Sequence, residues 1–184
     1  MNGDGGRTGN LEKSGDAWRL RFVRQIDRPA ELVWNAITVP EHPERWFPTR
    51  IVGEIRPGAI LRFEVADLPP FDGEVLDFVP PSELQPSVLE LRWGPDVIRF
   101  EITPTTSGCT LTFTDTFGEF GKAARDGAGW HECLDVLQSV ISGDEPDWAP
   151  GERWAEVHPA YKTKFGPAAS MIGPPQELLD RRTT

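Results

Sequence analysis

Cysteine is scarce in this chain: Cys109 and Cys133 are the only two among 184 residues. Two thiols far apart in sequence make no disulfide framework, and there is no Cys-x-x-Cys pair. Both are expected as buried, reduced thiols that pack like small apolar side chains. Histidine is scarce too. His42, His131 and His158 show neither His-x-x-x-His nor His/Cys spacing, so no metal site is expected. Positive charge is short: Lys plus Arg total 19 against 29 Asp plus Glu, a net charge of −10 at pH 7. That balance argues against nucleic acid or an anionic membrane as partner, because basic clusters carry such binding. No apolar run approaches the roughly 20 residues of a membrane helix. The opening MNGDGGRTGN has no apolar secretory segment, and a cytoplasmic protein is expected. Gly-x-Ser-x-Gly, Gly-x-Gly-x-x-Gly and Walker sequences are all absent. No catalytic residue and no cofactor is therefore assigned.

What the chain does hold is alternation. Residues 1–15 are rich in Gly, Asn and charge and read as a disordered tail. Residues 17–26 then place Trp18, Leu20, Phe22 and Ile26 on one face and Arg19, Arg21 and Gln25 on the other, as in a strand with one buried side. Asp27-Arg28-Pro29 ends that strand. Ala30, Val33, Trp34 and Ile37 follow at helical spacing, and PEHPERWF fits a second short helical turn carrying Trp46 and Phe47. Strand signals recur at 50–55, 59–66, 74–79, 88–93, 97–102 and 109–117. Their inward sets include Phe63, Leu76 with Phe78, Leu91 with Trp93, Phe100, and Phe113 with Phe117. Short connections such as Pro57-Gly58 and Gly94-Pro95-Asp96 make the sheet antiparallel.

After Gly121 the period changes. Trp130, Cys133, Leu134, Leu137, Val140 and Ile141 form a helical stripe, and Gly143 is a natural stop. A linker at 144–151 leads to a second helical face, Trp154, Val157, His158, Tyr161 and Phe165, in which Pro159 predicts a kink. The expected plan is a tail at 1–15, a domain at 16–143, a linker and additional helix at 144–167, and a loose tail at 168–184. Strands that run together rather than alternating with helices indicate an α+β fold. It is a curved antiparallel sheet of about six to seven strands around a long C-terminal helix, with two short helices after the first strand.

The segment IDRPAELVWNAITVPEHPERWFP (26–48) resembles the start of Bet v 1-like domains, also called SRPBCC or START-like. It is most similar to the branch named for homologues of the activator of heat-shock protein 90 ATPase. GWHECLDVL (129–137) resembles the start of that branch's long helix, and Tyr161 with Phe165-Gly166-Pro167 resembles an ending of its bacterial subgroup. The resemblance spans about residues 16–167. It implies a helix-grip fold with a cavity between sheet and helix, where many relatives hold an apolar small molecule. The eukaryotic co-chaperone adds an N-terminal domain with a basic motif, for which this chain has no room, so direct chaperone activation is not expected.

The expected cavity wall is Phe63, Phe78, Trp93, Phe100 and Phe113, with Trp46, facing Trp130, Leu134 and Leu137. The alternative is that these side chains simply fill the space. Asp126 falls in the same helical arc as Trp130, with Lys122 at i−4, and is expected either to orient a ligand or act as a base or, if the helix starts later or kinks at Gly127, to lie in solvent. Asp67, Asp72 and Glu74 read as a solvated rim. The leading expectation is a binding protein for a small apolar or amphipathic molecule. One alternative is a cyclase- or hydrolase-type enzyme using a cavity acid. The other is a protein-interaction module, with the Trp154–Phe165 helix as a homodimer or partner contact.

Overall fold

The alternating segments become strands of one sheet. The computed structural model describes residues 6–39, 41–66, 68–82 and 85–174. Among these residues the strands are β1 (Asn10–Ser14), β2 (Ala17–Ile26), β3 (Arg50–Val52), β4 (Ile60–Glu64), β5 (Phe71–Val79), β6 (Ser87–Trp93), β7 (Asp96–Pro104) and β8 (Cys109–Phe117). Their spatial order is β1-β2-β8-β7-β6-β5-β4-β3, and each ladder is antiparallel. Helix α1 (Ala30–Thr38) and a 3-10 turn at Pro43–Arg45 follow β2, and the long α2 (Ala123–Ser142) follows β8. Helix α3 (Glu152–Phe165) and a further 3-10 turn at Pro167–Ser170 come last. A curved antiparallel sheet around a long helix is the expected α+β architecture.

Three details differ from the sequence reading. The sheet has eight strands rather than six or seven. The added one, β1, lies in the segment expected as a tail. It buries little, so no apolar period marks it, and it is held by its ladder to β2. Gly15, at φ 61°, makes the tight connection between Ser14 and Ala17, a conformation that a Cβ would strain. The short helices therefore follow the second strand, and the second of them is only a 3-10 turn. Finally, a register shift between Val75 and Asp77 in β5 turns Val75 inward and leaves Leu76 exposed. Strict alternation had placed Leu76 inside; a bulge breaks that count.

Helix α2 has the sheet on one side and α3 on the other. Gly143, at φ 82°, ends it in the left-handed region. Gly127 lies inside it because α3 packs there: a Cβ at that position would come 2.9 Å from the Tyr161 ring. The Trp154–Phe165 face thus turns back onto the domain, with Val157 and Tyr161 buried. Pro159 sits within α3, which continues across it.

Polar groups tie this second layer down. The Tyr161 hydroxyl accepts the Gly9 N–H at 2.8 Å and lies 3.0 Å from His131 Nδ1. Asp135, buried on the same side of α2, meets Arg7 at 3.1 Å, Arg24 at 3.4 Å and Arg153 at 3.0 Å, with His131 Nε2 at 3.4 Å. Burial alone would raise the Asp135 pKa. The His131 hydrogen bond and the charges of His131 and Arg7, with an Arg153 hydrogen bond, outweigh it and hold it at about 2. Tyr161→Phe removes the hydroxyl that joins the segment around Gly9 to α2. It should lower stability by about 1–3 kcal/mol in urea unfolding, and an unchanged midpoint would show that this contact contributes nothing.

Candidate functional site

The inner face of the sheet meets α2 through rings. Phe113 on β8 lies 4.5 Å from Trp130 on α2 and 4.9 Å from Phe100 on β7, ring centre to ring centre. Trp93 at the end of β6 is 5.4 Å from Trp130. Trp46 packs 5.8 Å from Phe100 and donates its Nε1 hydrogen to the Ala36 carbonyl at 2.9 Å. Phe63 on β4 joins through Phe47 at 6.3 Å. Leu134 and Leu137 are buried on the same stretch of α2.

Most of the expected wall is thus brought together, and its side chains are in ring-to-ring contact. Two expected residues stand apart. Phe78 is half-buried against Trp34 of α1, at 5.2 Å, rather than against α2. Asp126 is on α2, as its arc implied, but its carboxylate is committed to Lys122 at 3.1 Å and Arg125 at 2.6 Å. Asp67 lies outside the described residues; Asp72 pairs with Arg62 at 3.5 Å and Glu74 with Arg92 at 3.9 Å.

Two further groups belong to the site. Phe47, next to the 3-10 turn, touches Phe63, Trp93 (6.2 Å) and Trp130 (5.7 Å). It also lines a surface depression of about 380 Å³ with Pro48, Thr49, Arg50, Glu64 and Val65. Arg50 spans that depression, bonded to Glu44 at 3.1 Å and Glu64 at 3.3 Å. A second depression, of about 390 Å³, lies on the other side of the sheet around Arg21, Arg99, Thr114 and Thr116.

The other group is acidic. Asp115, on β8, is 0% exposed, and Asp96, which begins β7, is also buried. Trp130 donates Nε1–H to Asp115 Oδ2 at 2.9 Å, and the Lys122 ammonium bonds Asp96. Asp96, Asp115 and Asp126 each bring a carboxylate oxygen within 4.8 Å of the others. Among the described residues this is the grouping spaced to hold a metal ion. Burial, then the neighbouring Asp96 charge, pushes the Asp115 pKa up to about 8. Burial also raises Asp96 against the pull of Lys122. Burial would lower Lys122, but Asp126 and Asp96 outweigh it and raise it.

Sequence reasoning missed both acids, although the signal was present. Asp115 occupies an inward position between Phe113 and Phe117, and Asp96 an inward position before Ile98. The family pattern described as "Activator of Hsp90 ATPase homolog 1-like protein" matches residues 27–142. The chain belongs to this family. This family member matches the protein EF2215 of unknown function from Enterococcus faecalis over 85% of its length and 89% of that chain, at 21% identity and a TM-score of 0.67. It matches CalU16 from Micromonospora echinospora over 86% and 96%, at 19% identity and a TM-score of 0.63. DynU16, a protein of the dynemicin biosynthetic locus, matches at 25% identity and a TM-score of 0.55, over 71% of this chain and 51% of that one. No curated protein matches the chain. The likeness is one of fold. No helix among the described residues is long and apolar enough to cross a membrane.

Asp115 makes stability depend on pH. The folded state keeps its proton up to about pH 8, whereas an unfolded Asp loses it near pH 4. The folded state therefore binds more protons between those limits. This group's contribution to stability falls as pH rises, by at most about 1.4 kcal/mol per unit, and levels off above the folded pKa. Asp115→Asn, which keeps an acceptor for Trp130, should remove that slope. Urea unfolding of both proteins across the range checks it, and parallel curves would refute the buried acid.

Proposed function

We propose that this protein binds a small apolar or amphipathic molecule between its sheet and α2. The observation that carries the reading is the position of Phe47. This ring borders the surface depression and touches three rings of the interior, Phe63, Trp93 and Trp130. It is the plug between solvent and the ring cluster. A ligand enters where Phe47 swings away and replaces ring–ring contacts by ring–ligand contacts of similar kind. Such an interior suits a ligand whose body is apolar and whose few polar groups are met by placed partners. Membership of the family supports the same reading, as does the biosynthetic locus of DynU16.

A cyclase- or hydrolase-type reaction would need an acid among these rings. Asp115 stands there, bonded to Trp130, whereas Asp126 is held by two cations. The interface alternative draws less support, because the Trp154–Phe165 helix covers α2 of its own chain.

The test is titration with N-phenyl-1-naphthylamine, a neutral probe that fluoresces in apolar surroundings. Saturable binding to the folded protein is expected. Phe47→Ala should speed association by about tenfold, and Phe100→Ala should alter affinity. Thr112→Ala, on the outer face, should change neither. Absence of binding, or equal effects of the three substitutions after correction for unfolding, overturns the proposal.

A further inference from the structure

Asp115 faces an apolar neighbourhood. Leu20 and Ile98 flank it across the ladders, and Phe113 and Phe117 flank it along β8, all of them buried. One of its oxygens takes the Trp130 hydrogen bond. The other, Oδ1, is buried and has no hydrogen-bond partner among the described residues, and the same is true of Asp96 Oδ1. The charged groups around them are Lys122, Asp126 and Arg125. Three carboxylates thus share one buried ammonium and one half-buried guanidinium. With all three carboxylates ionised the cluster is one positive charge short, and an uncompensated buried charge is costly.

The surroundings favour one kind of compensating group. Lys122 already sits on Asp96 and Asp126. That leaves one unbonded oxygen each on Asp96 and Asp115, far fewer than the roughly six to eight oxygen ligands that Ca²⁺ takes. A primary ammonium needs fewer acceptors and can lie on aromatic faces. Trp130, whose N–H is bonded to Asp115, packs with Phe113, Trp93 and Phe47 at 4.5, 5.4 and 5.7 Å from its ring centre, and an ammonium that displaced one of these rings would meet an aromatic face there.

We infer that the Asp96–Asp115 pair is the polar anchor of the interior and takes the ammonium group of an organic amine whose apolar body lies among the rings. This rests on the ligand-binding reading above. In the unliganded protein a proton takes the place of the ammonium, since burial and the Asp96 charge push Asp115 up to about 8. Binding the amine releases that proton. Affinity for an ammonium therefore rises with pH up to about the Asp115 pKa and then levels off.

The experiment compares 2-(1-naphthyl)ethylammonium with 2-(1-naphthyl)ethanol by calorimetry, at about pH 6 and about pH 8.5. Both should bind, the ammonium tighter by about tenfold at the higher pH and with a smaller margin at the lower. Asp115→Asn should still bind the alcohol and should lose the preference. Retained alcohol binding also shows that the variant is folded. Equal binding of the two probes, or a preference that survives Asp115→Asn as general attraction to an acidic protein would, overturns the anchor and leaves the ligand reading standing. Failure of both probes on the wild-type protein overturns the ligand reading and the anchor with it. Stabilisation by Ca²⁺ or Mn²⁺ that disappears in Asp115→Asn overturns the amine in favour of an inorganic ion.

Discussion

Trp130 has to satisfy two neighbours at once. Its ring lies against Phe113 of the sheet, while its N–H is held by Asp115 two residues further along the same strand. An indole buried without a hydrogen-bond partner would be unfavourable, and so would a carboxyl group among Leu20, Ile98, Phe113 and Phe117. The bond between them satisfies the indole and one of the two carboxyl oxygens. Their contact sets how α2 lies along β8, and Phe47 and Trp93 pack on the Trp130 ring. One hydrogen bond therefore positions both the helix and the aromatic interior beneath it.

The two sides of α2 are built on different chemistry. Toward the sheet it presents rings and aliphatic groups, and its first turn brings Asp126 to Asp96 and Asp115 of the sheet. Toward α3 it presents His131 and Asp135, which bind Tyr161, Arg24, Arg7 and Arg153. Rings in contact exchange partners with small loss of energy, whereas charge-assisted bonds are directional and resist displacement. The outer layer thus adds directional bonds to a helix whose inner side rests mainly on ring and aliphatic contacts.

Most of the fold was legible because its residues obey two periods. β8 reads inward-outward without a break, and the stripe from Trp130 to Ile141 reads as one helical face. β1 was not legible, because a strand held by backbone bonds on an exposed edge needs no apolar period. Leu76 was misplaced because one extra residue in β5 reverses the count. Of the rings expected along the wall, most meet one another, yet Phe78 went to α1 and the Asp126 carboxylate to Lys122 and Arg125 beside it, since a face shared in sequence does not choose its partner across space. Arg24, Asp96 and Asp115 occupy inward positions and were passed over, because a charge at such a position has meaning only when its counter-group is known.

The sequence by itself determined the α+β class, the antiparallel series and the long amphipathic helix. These follow from local periodicity, which neighbouring residues express without help from the rest of the chain. Tertiary structure alone decided which charges become buried partners. Lys122 meets Asp96 from 26 residues away, and Arg24 meets Asp135 from 111 residues away. Such pairs exist only once the sheet has curved around α2, because exclusion of water is what makes a pairing between distant charges strong enough to matter.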